Sequence, residues 1–407
     1  MEKLINRCDI FCNVIDNYGD IGVCWRLARQ LAHEHGLAVR LWVDDLNSLA
    51  RMCHEVDAAR DIQHCRGMEV RRWHESGNPP TLQYLSPNGG EEAIQPADLV
   101  IEAFACRLPQ NYIEAMVAQE HKPVWINLEY LSAEDWVHGC HGLPSPHPSL
   151  PLTKYFFFPG FTKQTGGLLL EHDLFVRRDA FQNDAAQQRT FWQSLGMEMP
   201  GAETLKISLF GYENGALAGL FDAWASGAQP VLCLVPEGRI LPQTGQYFGD
   251  TAPRAGSSYA RGSLRVRVLP FAEQERYDEL LWACDVNFIR GEDSCVRAQW
   301  AGKPFVWQIY PQHDAVHWQK LQAFLKLYNA PLSAAASQAV QGLWRAWNSG
   351  GCGEAGQAWP AFAAARSELD SRAQGWAREL ADNNLALNLL DFCKKIGRMR
   401  AFEIEGQ

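Results

Sequence analysis

RCDIFCNVIDNYGDIGVCWRLARQLAHEHG, residues 7–36, holds an apolar run, a turn and an amphipathic pattern in direct succession. Residues 7–15 read as a short strand covered on both faces, because the run is nearly continuous rather than alternating. From Ile21 the pattern changes: Val23, Leu27, Ala28 and Leu31 fall at helical spacing, and Gly36 suits the helix C-terminus. A strand feeding a helix in this way opens a βαβ unit. Its turn carries two carboxylates, Asp16 and Asp20, around Asn17, Tyr18 and Gly19. Many nucleotide-binding units place a glycine-rich phosphate loop there instead.

The pattern repeats outward. Strand-like runs follow at 37–45, 68–73, 98–104 and 123–129, with helical stretches near 46–55 and 109–121. Residues 139–166, GCHGLPSPHPSLPLTKYFFFPGFTKQTG, are rich in Pro and Gly and read as surface loops, with a linker expected near 170–190. A second series begins with LKISLFGY (205–212) and runs through 229–236, 264–271, 285–291 and 304–310, with helices near 215–226, 273–283 and 293–301. The stretches 329–347 and 371–402 are helical in period, separated by a loop at 348–357. The expected fold is α/β: two doubly wound, Rossmann-like domains facing each other across an interdomain cleft. The expected division is 1–180 for the N-terminal domain, with a helix at about 375–407 packing back on it, and 181–374 for the C-terminal domain. Ligands of such sheets bind outside the carboxyl ends of the strands. Glycosyltransferases, sugar epimerases and small-molecule binders all use this plan, so it does not by itself name a function.

The chain's 407 residues are enough for two cores. With 37 basic and 47 acidic side chains the net charge is −10, which argues against a general nucleic-acid binder and suits either solubility or a cationic partner. The twelve cysteines form no C-x-x-C pair and read as reduced, mostly buried thiols. Neither a signal-peptide core nor a membrane-length apolar run occurs. A cytoplasmic location is therefore expected, without membrane or nucleic-acid partners.

No G-x-G-x-x-G follows the first strand, and there is no G-x-x-x-x-G-K-[ST] and no G-x-S-x-G. Nicotinamide, flavin and P-loop chemistry are thereby disfavoured. His313 and His317 are four apart and could share a helix face, but two histidines without the glutamate of H-E-x-x-H do not make a metal site, and Cys140, His141 and His147 lack the usual ligand spacing, so no metal is expected. VNFIRGEDSCVRAQWAGKP (286–304) is more informative. A strand ending at Arg290 runs into a helix near Glu292, Asp293 and Ser294. Helix N-termini attract phosphates, and a guanidinium on the same turn adds a fixed cation. Asp293 and Ser294 also suit simple helix capping, as Asp20 does ahead of Ile21. Phe271, ending the preceding strand, could face a base or merely fill the core; Tyr212, after SLFG, would emerge at a strand's carboxyl end.

Taken together, FCNVIDNYGDIGVCWRLARQL (11–31), SLFGYEN (208–214) and FIRGEDSCVRAQWAGKPFVWQIYPQ (288–312) resemble the bacterial elongation factor P arginine rhamnosyltransferases, the EarP family, nearly end to end. The resemblance implies a GT-B-type inverting glycosyltransferase. It would move L-rhamnose from dTDP-β-L-rhamnose to an arginine of elongation factor P, a factor that rescues polyproline-stalled ribosomes. Carried over by position, it implies catalytic roles for Asp20 (general base), Asp16 and Glu292. Donor contacts are implied for Tyr212, Phe271, Gln274, Arg290, Asp293, Ser294 and Gly19. No cofactor is implied beyond the donor substrate, and the chain is taken as a monomer.

The chemistry fits those residue types. A guanidinium is always protonated and a poor nucleophile, so it must be gripped and stripped of a proton, and two carboxylates on one turn can do both. Arg290 and the helix start behind it would receive the charge growing on the leaving diphosphate. The rival readings are a nucleotide-sugar transferase with a small-molecule acceptor, and a non-catalytic protein that binds a nucleotide sugar or a translation factor.

Overall fold

The computed structural model describes residues 5–16, 18–73, 95–311 and 316–405, with side chains to residue 399. The chain divides into two compact units. The first is Met1–His172 with Leu380–Gln407; the second is Asp173–Glu379.

In the first unit the chain runs β1 (Arg7–Cys12), α1 (Gly19–His33), β2 (Ala38–Val43), α2 (Leu46–Met52), β3 (Ile62–Cys65), β4 (Met68–Arg72), β5 (Leu99–Ala103), α3 (Gln110–Ala118), β6 (Val124–Leu128), α4 (Val137–Cys140), β7 (Pro144–Pro146) and β8 (Thr153–Phe157). These strands form one sheet in the order β3-β4-β2-β1-β5-β6-β8-β7. The centre is parallel, and the edge strands β3 and β7 are antiparallel to their neighbours. The central strands β5 and β6 are buried along their whole length, as near-continuous apolar runs in a covered sheet should be. Phe11 of β1 anchors the core, stacked on Trp42 at 5.3 Å and edge-on to Trp73 and Tyr112. Within this apolar layer Asp9 is fully buried, its two oxygens each 2.6 Å from the Arg40 guanidinium, with Ala97 N and the Tyr112 hydroxyl also donating. Two ionic hydrogen bonds and two further donors satisfy a charge that burial alone would not tolerate.

The expectation of loops throughout 139–166 is wrong. β8 pairs in parallel with β6, and β7, the Pro-Ser-Pro segment, pairs antiparallel with β8. Proline is tolerated there because β7 is an edge. The boundary between the units, His172/Asp173, falls inside the expected linker range 170–190, but most of that range is helical rather than an irregular connection. The helices are α5 (Leu174–Asn183) and α6 (Ala185–Ser194), and α5 is fastened to the second unit by Arg178 and Gln182, which donate to the Trp300 and Ala301 carbonyls.

The second unit continues with β9 (Leu205–Leu209), α7 (Leu217–Ser226), β10 (Val231–Pro236), α8 (Leu241–Phe248), β11 (Ser258–Arg261), β12 (Leu264–Leu269), α9 (Gln274–Ala283), β13 (Val286–Arg290), α10 (Asp293–Ala301) and β14 (Phe305–Gln308). Helices α11 (Val316–Asn329), α12 (Ala334–Ser349), α13 (Glu354–Ala364) and α14 (Arg366–Ala381) follow. The sheet order is β11-β12-β10-β9-β13-β14, parallel except for β11. α13 starts at Glu354, inside the expected 348–357 loop. The helical stretch 371–402 breaks at 382–384, between α14 and α15 (Leu385–Glu405). α15 belongs to the first unit: Leu385 N donates to Leu168 O, and Asn384 and Asn388 donate to the Leu170 and Gly166 carbonyls.

In each sheet the strand order reverses at one place, between β1 and β5 in the first and between β9 and β13 in the second. Such switch points leave a crevice at the carboxyl ends of the two strands. The acidic turn follows β1; Tyr212 and Arg290 sit at the ends of β9 and β13.

Candidate active site

In the first unit the chain leaves β1 and closes a tight turn, Gly19 N donating to Asp16 O at 2.7 Å. Helix α1 starts at Gly19, earlier than Ile21, and its N-cap position is Tyr18, which provides no side-chain cap. The expected capping role of Asp20 is therefore not realised. Its side chain turns backward instead, and Oδ2 accepts from the backbone N–H of both Ile15 and Asp16 at 2.9 Å. Both bonds fall on Oδ2; Oδ1 carries neither. Asp20 is only 4% exposed. Burial raises its pKa, the two N–H bonds pull it back, and the charges of Asp16 and Asp44 push it up again, for a net rise. Gly19 leaves room for this arrangement, since a Cβ there would lie 3.0 Å from Asp16 Oδ2.

Asp44, the residue after β2, completes a cluster that sequence reasoning missed. It accepts from Val14 N and Asp45 N at 2.9 Å each, and burial raises its pKa too. The signal available was the Asp-Asp pair closing the second strand, where the first closes on Asp16.

In the second unit Arg290 is the last residue of β13 and 4% exposed. Its guanidinium carbon lies 4.8 Å from the Phe210 ring centre and 4.5 Å from that of Tyr212, so two aromatic faces hold it at the switch point. Tyr212 is fixed in turn by Gln308, whose Oε1 accepts its backbone N–H at 2.9 Å, and packs edge-on to Tyr310 at 5.6 Å. Gly291 turns the chain with φ of +64°. Helix α10 then begins at Asp293 with Glu292 at the N-cap position and no side-chain cap. Capping by Asp293 or Ser294, the simpler expectation, is absent: Ser294 Oγ donates backward to the Arg290 carbonyl. The N-cap side chain of Glu292 thus makes no cap to the first turn of α10.

Gln274 is the first residue of α9 and is buried; Phe271 is half-buried on the approach to it. One helical turn on, Tyr277 packs its ring 5.7 Å from Phe210, and its hydroxyl lies among Ser294, Asp293 and Arg290. Burial keeps that hydroxyl protonated. Tyr277 was missed, although its i+3 spacing from Gln274 was readable. α9 is locked to α10 by a bidentate Asp278–Arg297 pair at 2.9 and 2.7 Å, both side chains about 2% exposed or less. Asp16, Gly19 and Asp20 thus share one turn of the first unit. Tyr212, Arg290, Glu292, Asp293 and Ser294 gather around the switch point of the second, and Gln274 lies one turn of α9 from Tyr277.

A sequence profile of the family described as Elongation-Factor P (EF-P) rhamnosyltransferase EarP matches residues 8–394. The chain belongs to this family. A protein-arginine rhamnosyltransferase of Pseudomonas putida is 52% identical over 94% of this chain and 97% of its own length. One from Shewanella oneidensis is 40% identical over 95% and 97%. A solved structure described as the structural basis for EarP-mediated arginine glycosylation of translation elongation factor EF-P superposes with a TM-score of 0.66, at 38% identity, over 96% of this chain and 99% of that one. EarP relatives of this likeness, together with the two parallel-dominated sheets, make the fold class that of the GT-B glycosyltransferases.

Two of the histidines considered as ligands have local duties. His141 Nδ1 accepts from Phe158 N at 3.0 Å, and His147 Nδ1 accepts from Ser149 N and Leu150 N. His313 lies outside the described residues. Among the described residues no group of three or more His, Cys, Asp or Glu could hold a metal ion, and no helix is long and apolar enough to cross a membrane.

Proposed function

We propose that this chain is a glycosyltransferase of protein arginine that moves L-rhamnose from dTDP-β-L-rhamnose to elongation factor P with inversion. The observation that carries the reading is Asp20: a carboxylate nearly sealed from solvent, raised in pKa, held by two backbone donors on one oxygen, beside Asp16 at a switch point. A base so placed has a proton affinity lifted toward neutrality. Membership of a family described as EF-P rhamnosyltransferases supports this choice of acceptor and sugar.

Asp16 pairs with the guanidinium N–H groups and fixes the plane. As one guanidinium nitrogen bonds to the anomeric carbon, its proton passes to Asp20, and the bond from that carbon to the diphosphate oxygen breaks. The electron pair leaves on the nucleoside diphosphate. Attack opposite the leaving group converts a β-linked donor into an α-linked product. General-base help of this kind is worth about 10²–10⁴-fold. Arg290, already ordered by Phe210 and Tyr212, meets the growing negative charge together with the first-turn N–H groups of α10, so the electrostatic stabilisation needs no metal cofactor. Phe271 and Gln274 hold the base and sugar end of the donor, Asp293 and Ser294 frame its diphosphate, and Glu292 bonds the rhamnose hydroxyls or the guanidinium. The chain works as a monomer on a translation factor in the cytoplasm.

Intact-mass analysis of elongation factor P after incubation with this protein and dTDP-rhamnose tests the reading. The expected result is a gain of one deoxyhexose that is lost in Asp20→Asn. A wild-type protein that leaves the factor's mass unchanged would remove the reading.

A further inference from the structure

The crevice between β1 and β5 has two walls, and the acidic turn is only one of them. The other is the turn after β5, which the reaction described above does not use. Its backbone is strained: Phe104 and Ala105 take φ of +56° and +55°, two successive non-glycine residues in the left-handed region. Each such residue costs on the order of 1–3 kcal/mol and persists only where its surroundings over-determine it.

Here they do. Phe104 N donates to Leu128 O at 2.7 Å, Ala105 N to Asn127 Oδ1 at 3.2 Å, and Cys106 N to Ala103 O at 3.1 Å. Cys106 Sγ donates across to Phe11 O of β1 at 3.2 Å. The conformation stacks the Phe104 ring on Tyr130, with centroids 4.6 Å apart and planes within 23°. Phe104 is buried and backs the pair; Tyr130 is half-exposed and forms its outer member. Glu129 stands next to Tyr130, steadied by the Asn127 amide. β1 and β5 are parallel neighbours, Phe11 pairing with Glu102, so the turn after β5 and the Asp16–Asp20 turn leave the sheet at the same carboxyl edge.

We propose that Phe104 and Tyr130 form the acceptor platform. The guanidinium plane of the incoming arginine lies along Tyr130, with Glu129 beside it, and its N–H edge is presented to the Asp16–Asp20 turn. The inference rests on the arginine-transfer reading and adds to Asp16 an aromatic contact for the acceptor. An aromatic face flanked by carboxylates selects a flat cation, and cation–π contact is worth about 0.5–1 kcal/mol exposed and about 2 when desolvated. The strain in the β5 turn holds the backing ring in place before the acceptor arrives.

Steady-state transfer to elongation factor P, with calorimetric dTDP binding in parallel, tests this on Tyr130→Leu and Tyr130→Phe. The leucine variant should raise the acceptor KM roughly tenfold, leave kcat within about twofold and leave dTDP affinity unchanged, since only the cation–π contact is removed. The phenylalanine variant, which keeps the ring, should restore the KM. Should the leucine variant fail to fold, Glu129→Gln, which spares the stack, should still raise the acceptor KM severalfold with dTDP affinity unchanged. A folded leucine variant with the wild-type acceptor KM, or one whose dTDP affinity falls in parallel, overturns the platform alone. A wild-type protein that transfers no sugar to arginine overturns the platform together with the reading beneath it.

Discussion

Replacing Asp20 by Asn separates the functional reading of the acidic turn from a structural one. The substitution keeps the side chain's shape and an oxygen to accept the Ile15 and Asp16 N–H groups, but removes the charge and the basicity. Because folding raises the pKa of Asp20, the folded protein binds its proton more tightly than the unfolded chain does. The stability this lends is complete below the unfolded value and is lost as pH rises through the folded one. At neutral pH the ionised carboxylate is therefore held at a net cost of about 1.4 kcal/mol for each tenfold gain in proton affinity. The neutral amide escapes that cost while forfeiting the charge assistance of two hydrogen bonds; the net upward direction of the pKa says the first effect is the larger. Asp20→Asn should accordingly melt no lower than wild type at pH 7–8, bind dTDP-rhamnose normally, and transfer rhamnose about 10²–10⁴-fold more slowly. Scanning calorimetry, donor titration and single-turnover mass spectrometry measure the three. In the wild type the acid limb of kcat against pH should sit above the value of a free aspartate, and it should vanish in the variant. A variant that melts well below wild type yet transfers sugar at the wild-type rate would refute the argument and return Asp20 to a scaffold role.

Arg290→Ala should weaken dTDP binding at least tenfold, because a charge-assisted hydrogen bond is worth about 1.5–3 kcal/mol; unchanged calorimetric affinity would count against its place in the diphosphate site. Gly19→Ala puts a methyl group 3.0 Å from Asp16 Oδ2 and should lower kcat/KM for the acceptor roughly ten- to hundredfold while leaving dTDP affinity intact, as expected for a displaced reacting group. Asp278→Ala strands the buried Arg297 charge and should cost about 3–5 kcal/mol in chemical denaturation; a loss below about 1 kcal/mol would mean that the α9–α10 clasp is dispensable. Added chelator should leave the transfer rate unchanged, and activity abolished by chelator and restored by a divalent cation would contradict leaving-group stabilisation by Arg290 and the start of α10.

The parts of this fold that announce themselves in sequence are those decided by short-range periodicity. Residues 7–36 read correctly as strand, turn and helix because both patterns lie within one window. β7 and β8 were hidden because their prolines and glycines imitate a loop, and only an edge position next to β6 makes a Pro-Ser-Pro strand tolerable. At the site, residue types and turn positions were legible but orientations were not. An aspartate at the start of a helix can bond N–H groups ahead of it or behind it, and Asp20 chose the latter. Asp44 reaches the acidic turn through the pairing of β2 with β1, and Phe210 reaches Arg290 through the pairing of β9 with β13. Such partners are set by sheet order, which no local window contains.

The placement of α15 has a consequence for how the protein is made. A ribosome delivers all of Met1–His172 and then the whole of Asp173–Glu379 before the helix that seals the first unit emerges. At about 5–20 residues per second the interval is roughly ten to forty seconds. Throughout it Phe392 has yet to reach Tyr155 and Phe157, and the Leu168 carbonyl waits for Leu385. The nascent first unit is thus an open, adhesive species for the whole birth of the second, and a chain cut short before residue 380 would stay one.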